Sequence, residues 1–145
     1  MIYDPVLLRD RPRAVQVVIA GVFPAAIGAL AGVLIGVSSA AYWAVGVVAA
    51  IGGFLAGFEH RDGWGGADRG LVGGALYGTS LLVVHAIVGT HAKVSLGSFP
   101  PFLVVVTAII GMLISAAGGR LARLQRERAG IFITDEHIAP ERYRY

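Results

Sequence analysis

Residues 14–37 read AVQVVIAGVFPAAIGALAGVLIGV, one unbroken stretch of apolar and small side chains that holds a single glutamine. A helix needs about 20 such residues to cross about 30 Å of hydrocarbon. We therefore predict a first membrane-spanning helix over residues 14–37. The whole chain agrees, because 56% of its 145 residues are hydrophobic and only 14% are charged. Soluble domains carry about 25% charged residues, so the composition excludes an ordinary soluble fold.

The flanks of this stretch leave a second interpretation open, a cleaved signal peptide. Arg9, Arg11 and Arg13 precede the stretch, and Ser38 and Ala40 follow it at the small-x-small spacing of a signal-peptidase site. The apolar core of a signal peptide spans only about 7–15 residues. The greater length found here favours a permanent helix.

Three more apolar blocks predict helices over residues 42–58, 70–89 and 101–119. The turn before the second helix is too short to hold a domain, so the first two helices form an antiparallel hairpin. The segment EHRDGWGGADRG at residues 59–70 is dense in charge and glycine, which predicts a water-exposed loop. Pro100 and Pro101 suit a helix start, because proline lacks the N–H that the first turn leaves unpaired. The fold class is therefore all-α, a four-helix transmembrane bundle.

The predicted chain has three parts. Residues 1–13 form a cytoplasmic or interfacial N-terminal segment, in which Asp4-Pro5 resembles a helix start. Residues 14–119 form the transmembrane domain, and residues 120–145 form a tail that is basic at first and mixed later. The last helix is expected to continue into water through RLARLQRER as far as Gly130, a plausible C-cap.

The positions of lysine and arginine predict the orientation. Three precede the first helix, none separate the first two helices, Arg61 and Arg69 lie before the third, Lys93 lies before the fourth, and six follow it. The positive-inside rule then puts both termini in the cytoplasm of a multi-pass protein of the cell membrane. This topology explains the net charge of +3, so nucleic acid is not an expected partner. Zero cysteines exclude disulfides and thiolate metal sites, and no cofactor is expected.

Glycine recurs at every fourth position in the predicted helices, with Thr107 and Ser115 standing in for it in the last one. Residues four apart lie on one helix face, so each helix presents a groove without bulky side chains. In lipid such grooves let backbones approach and gain dispersion contacts and weak Cα–H hydrogen bonds. The predicted helix-packing positions are Gly28, Gly32, Gly36, Gly53, Gly57, Gly70, Gly74, Gly78, Gly111 and Ser115.

Two interpretations of these grooves remain open. They either close the bundle on itself, or one of them is spare and joins subunits into a homo-oligomer. We expect the groove of the third helix to be internal, because its run of glycines is the longest. We expect the first helix to supply the spare groove, since Phe23 and Pro24 interrupt its regularity where a partner fits.

The stretches IGGFLAGF at 51–58, ADRGLVGGALYG at 67–78 and VVTAIIGMLISAAGG at 105–119 carry a resemblance. Their arrangement resembles small glycine-rich four-helix membrane proteins of unknown function from archaea and some bacteria. The resemblance covers about residues 14–120. It implies a fold and no activity. The charged EHRD segment and the polar tail depart from the family pattern.

Two sets of polar residues are candidate functional sites. Glu59, His60, Asp62 and Asp68 are weak candidates for metal binding or proton exchange, but they meet no zinc or EF-hand spacing, and an ion-paired, solvated loop is the alternative. His85 lies inside the third helix, where an ionisable group is costly. With Thr79 and Ser80 it is a candidate pore lining, against the simpler view of a neutral histidine hydrogen-bonded across the bundle.

The tail offers a further surface. Arginines near a membrane bind anionic headgroups at about 1 kcal/mol each. The positive-inside rule demands the same residues, so no lipid specificity follows. Beyond Gly130 the stretch IFITDEHIAPERYRY either docks on the protein or the membrane, or ends as an extended or disordered peptide. The candidate headgroup contacts are Arg120, Arg123, Arg126 and Arg128.

Three functions compete. The leading one is a non-enzymatic structural or accessory protein of the bilayer that associates through small-residue helix faces with itself or with a larger membrane complex. The second is a small oligomeric channel or transporter, opposed by the lack of any charged residue deep in a predicted span. The third is a membrane enzyme or metal-binding protein that uses residues 59–68. We expect no catalytic residues.

Overall fold

The computed structural model describes residues 7–128. In this range the chain forms four long helices and no strand. These are α1 (Arg13–Val37), α2 (Ser39–Phe58), α3 (Gly63–Val88) and α4 (Phe102–Arg128), preceded by a 3-10 turn at Leu8–Asp10. Each long helix has the length and apolar composition to cross a membrane. The prediction of an all-α chain with four such helices is confirmed. The Asp4-Pro5 segment and the tail beyond Arg128 lie outside the described residues.

Helix α3 begins seven residues earlier than the sequence predicts, at Gly63 and not at Gly70. The side chain of Asp62 caps this start by accepting a hydrogen bond from the N–H of Gly65 at 2.9 Å. The glycines that follow stay helical because they lie against α4, where Gly66 would clash with the carbonyl oxygen of Ser115 if it carried a Cβ. The connection between α2 and α3 therefore shrinks to residues 59–62. Arg69, expected in a loop, lies inside α3.

Helix α3 forms the centre of the bundle and packs on both α1 and α4. Toward α4, a Cβ at Gly70 or Gly74 would collide with the carbonyl oxygen of Gly111 or Thr107. Toward α1, a Cβ at Gly28 would collide with the carbonyl oxygen of Tyr77. Backbone therefore faces backbone on two sides of α3.

Helix α1 is interrupted by a π-helical turn over Val18–Val22. The N–H of Phe23 bonds to the carbonyl of Val18, five residues back, and Pro24 has no N–H to give. The carbonyl of Ile19 therefore receives no hydrogen bond from Phe23 or from Pro24. The carbonyl of Ala20 would be bonded by residue 24 in an α-helix, and Pro24 cannot supply that bond. Two carbonyl oxygens of α1 are thus left for another donor.

The two ends of the bundle differ in charge. At one end the N–H of Leu8 donates to the carbonyl of Glu59 at 3.2 Å, and Arg126 donates to the carbonyls of Phe58 and His60, both at 3.1 Å. At the other end the backbone N–H of Lys93 donates a hydrogen bond to the carbonyl of Ile35, and the side-chain ammonium of Lys93 donates one to the carbonyl of Val37. The described arginines lie toward the first end, at residues 9–13, 61–69 and 120–128.

Candidate functional site

A cavity of about 370 Å³ lies among the four helices. It separates the α2 face that contains Gly46, Ala49 and Gly53 from residues of α1, α3 and α4. Volumes of this size fall within the range of small-molecule sites, about 300–1,000 Å³. The α1 residues at its wall include Phe23, a residue that is 59% exposed. The cavity therefore opens sideways from the bundle and is not sealed within it.

The wall of the cavity is mostly apolar, but its charged residues lie at one end, here called the polar end, while the hydroxyl groups of Tyr77 and Thr107 belong to the rest of the wall. Glu59, Arg69 and Ser115 line that end. Ser115 lies beside the glycine that follows Arg69, since a Cβ on Gly70 would stand 2.7 Å from the Cβ of Ser115. The remaining wall continues along α3 to Tyr77, eight residues beyond Arg69, which corresponds to about 12 Å of helix. The space is thus amphipathic along its length.

Arg69 holds the polar end of the cavity to α1. Its two terminal guanidinium nitrogens donate to the carbonyls of Ile19 and Ala20, the oxygens that the π turn and Pro24 leave without ladder partners. A guanidinium presents several donors in one plane, so it can satisfy two adjacent carbonyls at once. Arg69 therefore completes the hydrogen bonding of α1 as well as lining the cavity.

Glu59 is already neutralised by a different arginine. Its Oε1 accepts a hydrogen bond from Arg11 at 2.8 Å, and both side chains are mostly removed from solvent. Arg69, by contrast, binds only neutral carbonyls. The three charges of Arg11, Glu59 and Arg69 therefore sum to one positive charge at the polar end.

Four buried polar atoms around this end have no hydrogen-bond partner among the described residues. They are the Oγ of Ser115, the Nε of Arg69, the Nε of Arg11 and the Oε2 of Glu59. The side chain of Ser115 is completely buried. A buried polar atom without a partner is destabilising, so each of these atoms favours an additional donor or acceptor at the polar end.

The structure does not bring the four weak candidates for metal binding together. Glu59 pairs with Arg11, the Nδ1 of His60 contacts the carbonyl oxygen of Ala56 at 3.1 Å, and Asp62 caps α3. Asp68 is exposed on α3. Within residues 7–128, no three histidine, aspartate or glutamate side chains come together as a potential metal site.

The polar residues proposed as a pore lining lie away from the cavity. Thr79 is exposed, Ser80 and His85 are half-buried, and none of the three lines the space. The Nδ1 of His85 is buried without a hydrogen-bond partner among the described residues. The N–H of His85 lies near the α1–α3 contact, 3.1 Å from where a Cβ on Gly32 would stand. His85 therefore lies on the α1 side of α3.

The four arginines proposed as headgroup contacts differ in their surroundings. Arg126 is engaged by the carbonyls of Phe58 and His60, and Arg123 pairs with Glu127 at 2.7 Å. Arg120 and Arg128 are exposed. Arg126 thus fastens α4 to the α2–α3 connection.

The proposed packing positions face different neighbours. Gly57 and Gly111 lie against backbone atoms of neighbouring helices, Gly78 lies against Thr107, and Gly36 lies against the side chain of Thr90. Gly53 is different, because a Cβ there would stand 3.9 Å from the nearest atom, a methyl group of Ile114. The expectation that the first helix offers a spare groove is wrong. Gly28 and Gly32 lie against the carbonyls of Tyr77 and Leu81 in α3.

Sequence reasoning missed Arg69 and the cavity. The signal for Arg69 was present in the order Asp62-Gly63-Trp64-Gly65, because aspartate is a preferred N-cap and starts the helix before the charged residues. The cavity itself left no signal in one sequence. It arises from the separation of α2 from its neighbours, which depends on tertiary packing.

Known proteins supply no relative for comparison, since no family model, no curated protein and no solved structure matches the chain.

Proposed function

We propose that this chain is an integral protein of the cell membrane that acts without catalysis, as a structural or accessory component. It associates through a small-residue helix face with a second copy of itself or with a larger membrane complex. The face is on α2. The observation that carries this proposal is the exposure of α2. Of its 20 residues, Gly57 is the only one that is buried in the described part of the chain.

The outward face of α2 is apolar and begins with two small residues. Ala40 and Ala44, four residues apart, are both exposed, and the face continues through Val47, Val48 and Ile51, each more than half exposed. Small residues four apart are typical of contacts between membrane helices. This surface replaces the α1 groove, which α3 fills, as the site of association.

The charge difference between the two ends supports an orientation with both termini in the cytoplasm. Arginine-rich segments meet at the end that holds residues 8–13, 59–62 and 120–128, and Lys93 is at the opposite end. Positive loops remain on the cytoplasmic side during insertion. Trp43, toward the Lys93 end, and Trp64, toward the arginine-rich end, are 61% and 81% exposed, as expected of aromatic residues at the two interfaces.

The other two functions have weaker support. A channel would need a polar path, and the cavity wall is mostly apolar with Thr79, Ser80 and His85 elsewhere. A metal-dependent or acid–base enzyme would need Glu59, His60, Asp62 and Asp68 to act together, and each of the first three has a separate structural contact.

Association is tested by native mass spectrometry of the protein extracted gently from its own membrane. We expect a homo-oligomer that Ala44→Phe abolishes, because a large ring on the α2 face separates the two helices. The matched control is Ala26→Phe on the exposed side of α1, which leaves the subunit number unchanged. Circular dichroism checks that both variants are helical. A monomer from the wild type, or an oligomer that survives Ala44→Phe, contradicts association through α2.

Orientation is tested by labelling single cysteines, which is simple because the chain has none of its own. Ser39→Cys and Ser98→Cys are expected to react with an impermeant reagent added outside the cell. Arg128→Cys is expected to react only after the membrane is opened. External labelling at position 128 contradicts a cytoplasmic arginine-rich end.

A further inference from the structure

The cavity has features that packing alone does not explain. Gly66, Gly70 and Gly74 of α3 lie against the backbone of α4. Gly46 and Gly52 of α2, by contrast, border the cavity and have no atom within 4 Å of an added Cβ. In a bilayer such a lateral opening is reached by lipid chains before anything else. The occupant must therefore be apolar along most of its length.

The polar end adds a second requirement. It carries one positive charge in excess, from Arg69, together with the fully buried and unpartnered hydroxyl of Ser115. An arginine at the edge of a membrane span is stabilised by a negative partner, and Glu59 is already paired with Arg11. A negatively charged group with oxygen acceptors would complement both Arg69 and Ser115.

The position of the polar end fits a lipid headgroup. Arg69 is the seventh residue of α3 and lies toward the arginine-rich end of the bundle, so it is near one face of the bilayer and not at its midplane. The apolar part of the cavity extends from there toward Tyr77, deeper in the span. A phospholipid of the same leaflet would place its phosphate and its acyl chain in this order.

We infer that the cavity is a binding site for one anionic phospholipid, with its phosphate at Arg69 and Ser115 and one acyl chain against the glycine and alanine face of α2. The inference is independent of self-association, because the cavity and the outward surface of α2 lie on opposite faces of that helix. Gly46, Ala49 and Gly53 face inward, whereas Ala44, Val47 and Val48 face outward.

The test measures lipid retained by the purified full chain in native mass spectrometry. The protein is reconstituted in vesicles of phosphatidylcholine with phosphatidylglycerol in equal parts and then extracted in mild detergent. We expect one retained lipid per chain. Phosphatidylglycerol should be favoured over phosphatidylcholine by about tenfold, because both lipids carry the phosphate but the choline ammonium of phosphatidylcholine offsets its negative charge near Arg69.

Two matched pairs of variants locate the binding. Gly46→Leu fills the apolar part of the cavity and is expected to reduce retention at least tenfold, whereas Gly21→Leu, also with free space at its Cβ but outside the cavity wall, leaves retention unchanged. Arg69→Gln is expected to remove the preference for phosphatidylglycerol, whereas Arg120→Gln, an exposed arginine near the same end, preserves it.

Each contrary result overturns the inference. Equal retention of the two lipids excludes a site that selects an anionic headgroup, and retention unaffected by Gly46→Leu excludes the cavity. Loss of preference in Arg120→Gln to the same extent as in Arg69→Gln indicates general attraction to a basic surface. If Gly46→Leu dissociates a dimer that holds no lipid, a second copy of the chain fills the cavity. Arg69→Gln also removes a contact to α1, so this variant could fail to fold. In that case the result for Gly46→Leu decides the outcome.

Discussion

The α3–α4 contact and the α2 side of the cavity are both rich in glycine, yet glycine has opposite effects in the two places. At Gly74 a side chain would collide with the carbonyl oxygen of Thr107, whereas at Gly46 it would meet no atom within 4 Å. The first region uses the missing side chain to bring two backbones together. The second uses it to leave space. Glycine spacing alone therefore does not identify a helix contact, because the neighbour that faces the glycine decides its role.

The largest test of this contrast is Gly74→Leu against Gly46→Leu. Leucine at Gly74 forces α3 and α4 apart, since its Cβ would also stand 2.8 Å from the carbonyl carbon of Thr107. We expect Gly74→Leu to lower the free energy of unfolding by about 3 kcal/mol or more. Gly46→Leu extends into the cavity and is expected to fold. Unfolding in mixed micelles, followed by circular dichroism, measures both. Equal losses would refute the difference between the two regions.

A second test addresses the link between α3 and the π turn of α1. Arg69→Met leaves the carbonyls of Ile19 and Ala20 without their donor and is expected to cost about 1–3 kcal/mol. Pro24→Ala restores an N–H that can bond to Ala20, so part of the loss should disappear in the double variant. A cycle of the four proteins measures this coupling, which we expect to exceed about 0.5 kcal/mol. Strictly additive losses would show that Arg69 does not compensate for Pro24.

Alanine substitutions are expected to change the stability of the protein in opposite directions in the two regions. Alanine is a better helix former than glycine by about 0.5–1 kcal/mol, so Gly46→Ala should stabilise the protein by about that amount. Gly70→Ala should destabilise it, because the added methyl group collides with the carbonyl of Gly111. The same unfolding assay applies. If both substitutions shift stability in one direction, the packing distinction fails.

The smallest expected change in the free energy of unfolding comes from a residue pair outside both glycine-rich regions. It serves as the reference for the larger changes within them. Arg123 and Glu127 form a surface pair on α4, with side chains that are 62% and 47% exposed. Exposed pairs of this kind contribute little to stability, because solvent screens the two charges. Glu127→Gln should therefore leave the free energy of unfolding almost unchanged, and raised salt should reduce any remaining difference. A loss as large as that of Gly70→Ala would indicate a structural role for this pair.

The sequence predicted the helices better than their ends. Hydropathy identifies four apolar blocks, because a span requires a minimum length of apolar residues whatever its neighbours are. The predicted start of α3 at Gly70 is wrong, because charge and glycine at residues 63–69 are typical of loops when considered locally. Contact with α4 makes glycine favourable in this helix, and such contact is a tertiary property that no local pattern contains.

The candidate site was less predictable than the fold. Arg69 was visible as a charge, but its role depends on Ile19 and Ala20, about 50 residues earlier in the chain. Ser115 was predicted as a packing residue, and the structure adds that its buried hydroxyl has no partner. The separation of α2 from α1 and α3 arises from the relative placement of whole helices. Periodicity within one helix carries no information about that placement.

The position of α3 between α1 and α4 has a consequence for how the protein is made. Helix α1 is synthesised before α3, and α4 after it. The face of α3 that packs against Gly28 and Gly32 of α1 can therefore be covered when α3 leaves the ribosome, while its own glycine face toward α4 must wait. During that interval the backbone of α3 is open to any other helix in the membrane. The bonds from Arg126 to Phe58 and His60 form only when the end of α4 emerges. Insertion of α4 therefore completes the assembly of the bundle, and its delay exposes the chain to pairing with the wrong helix.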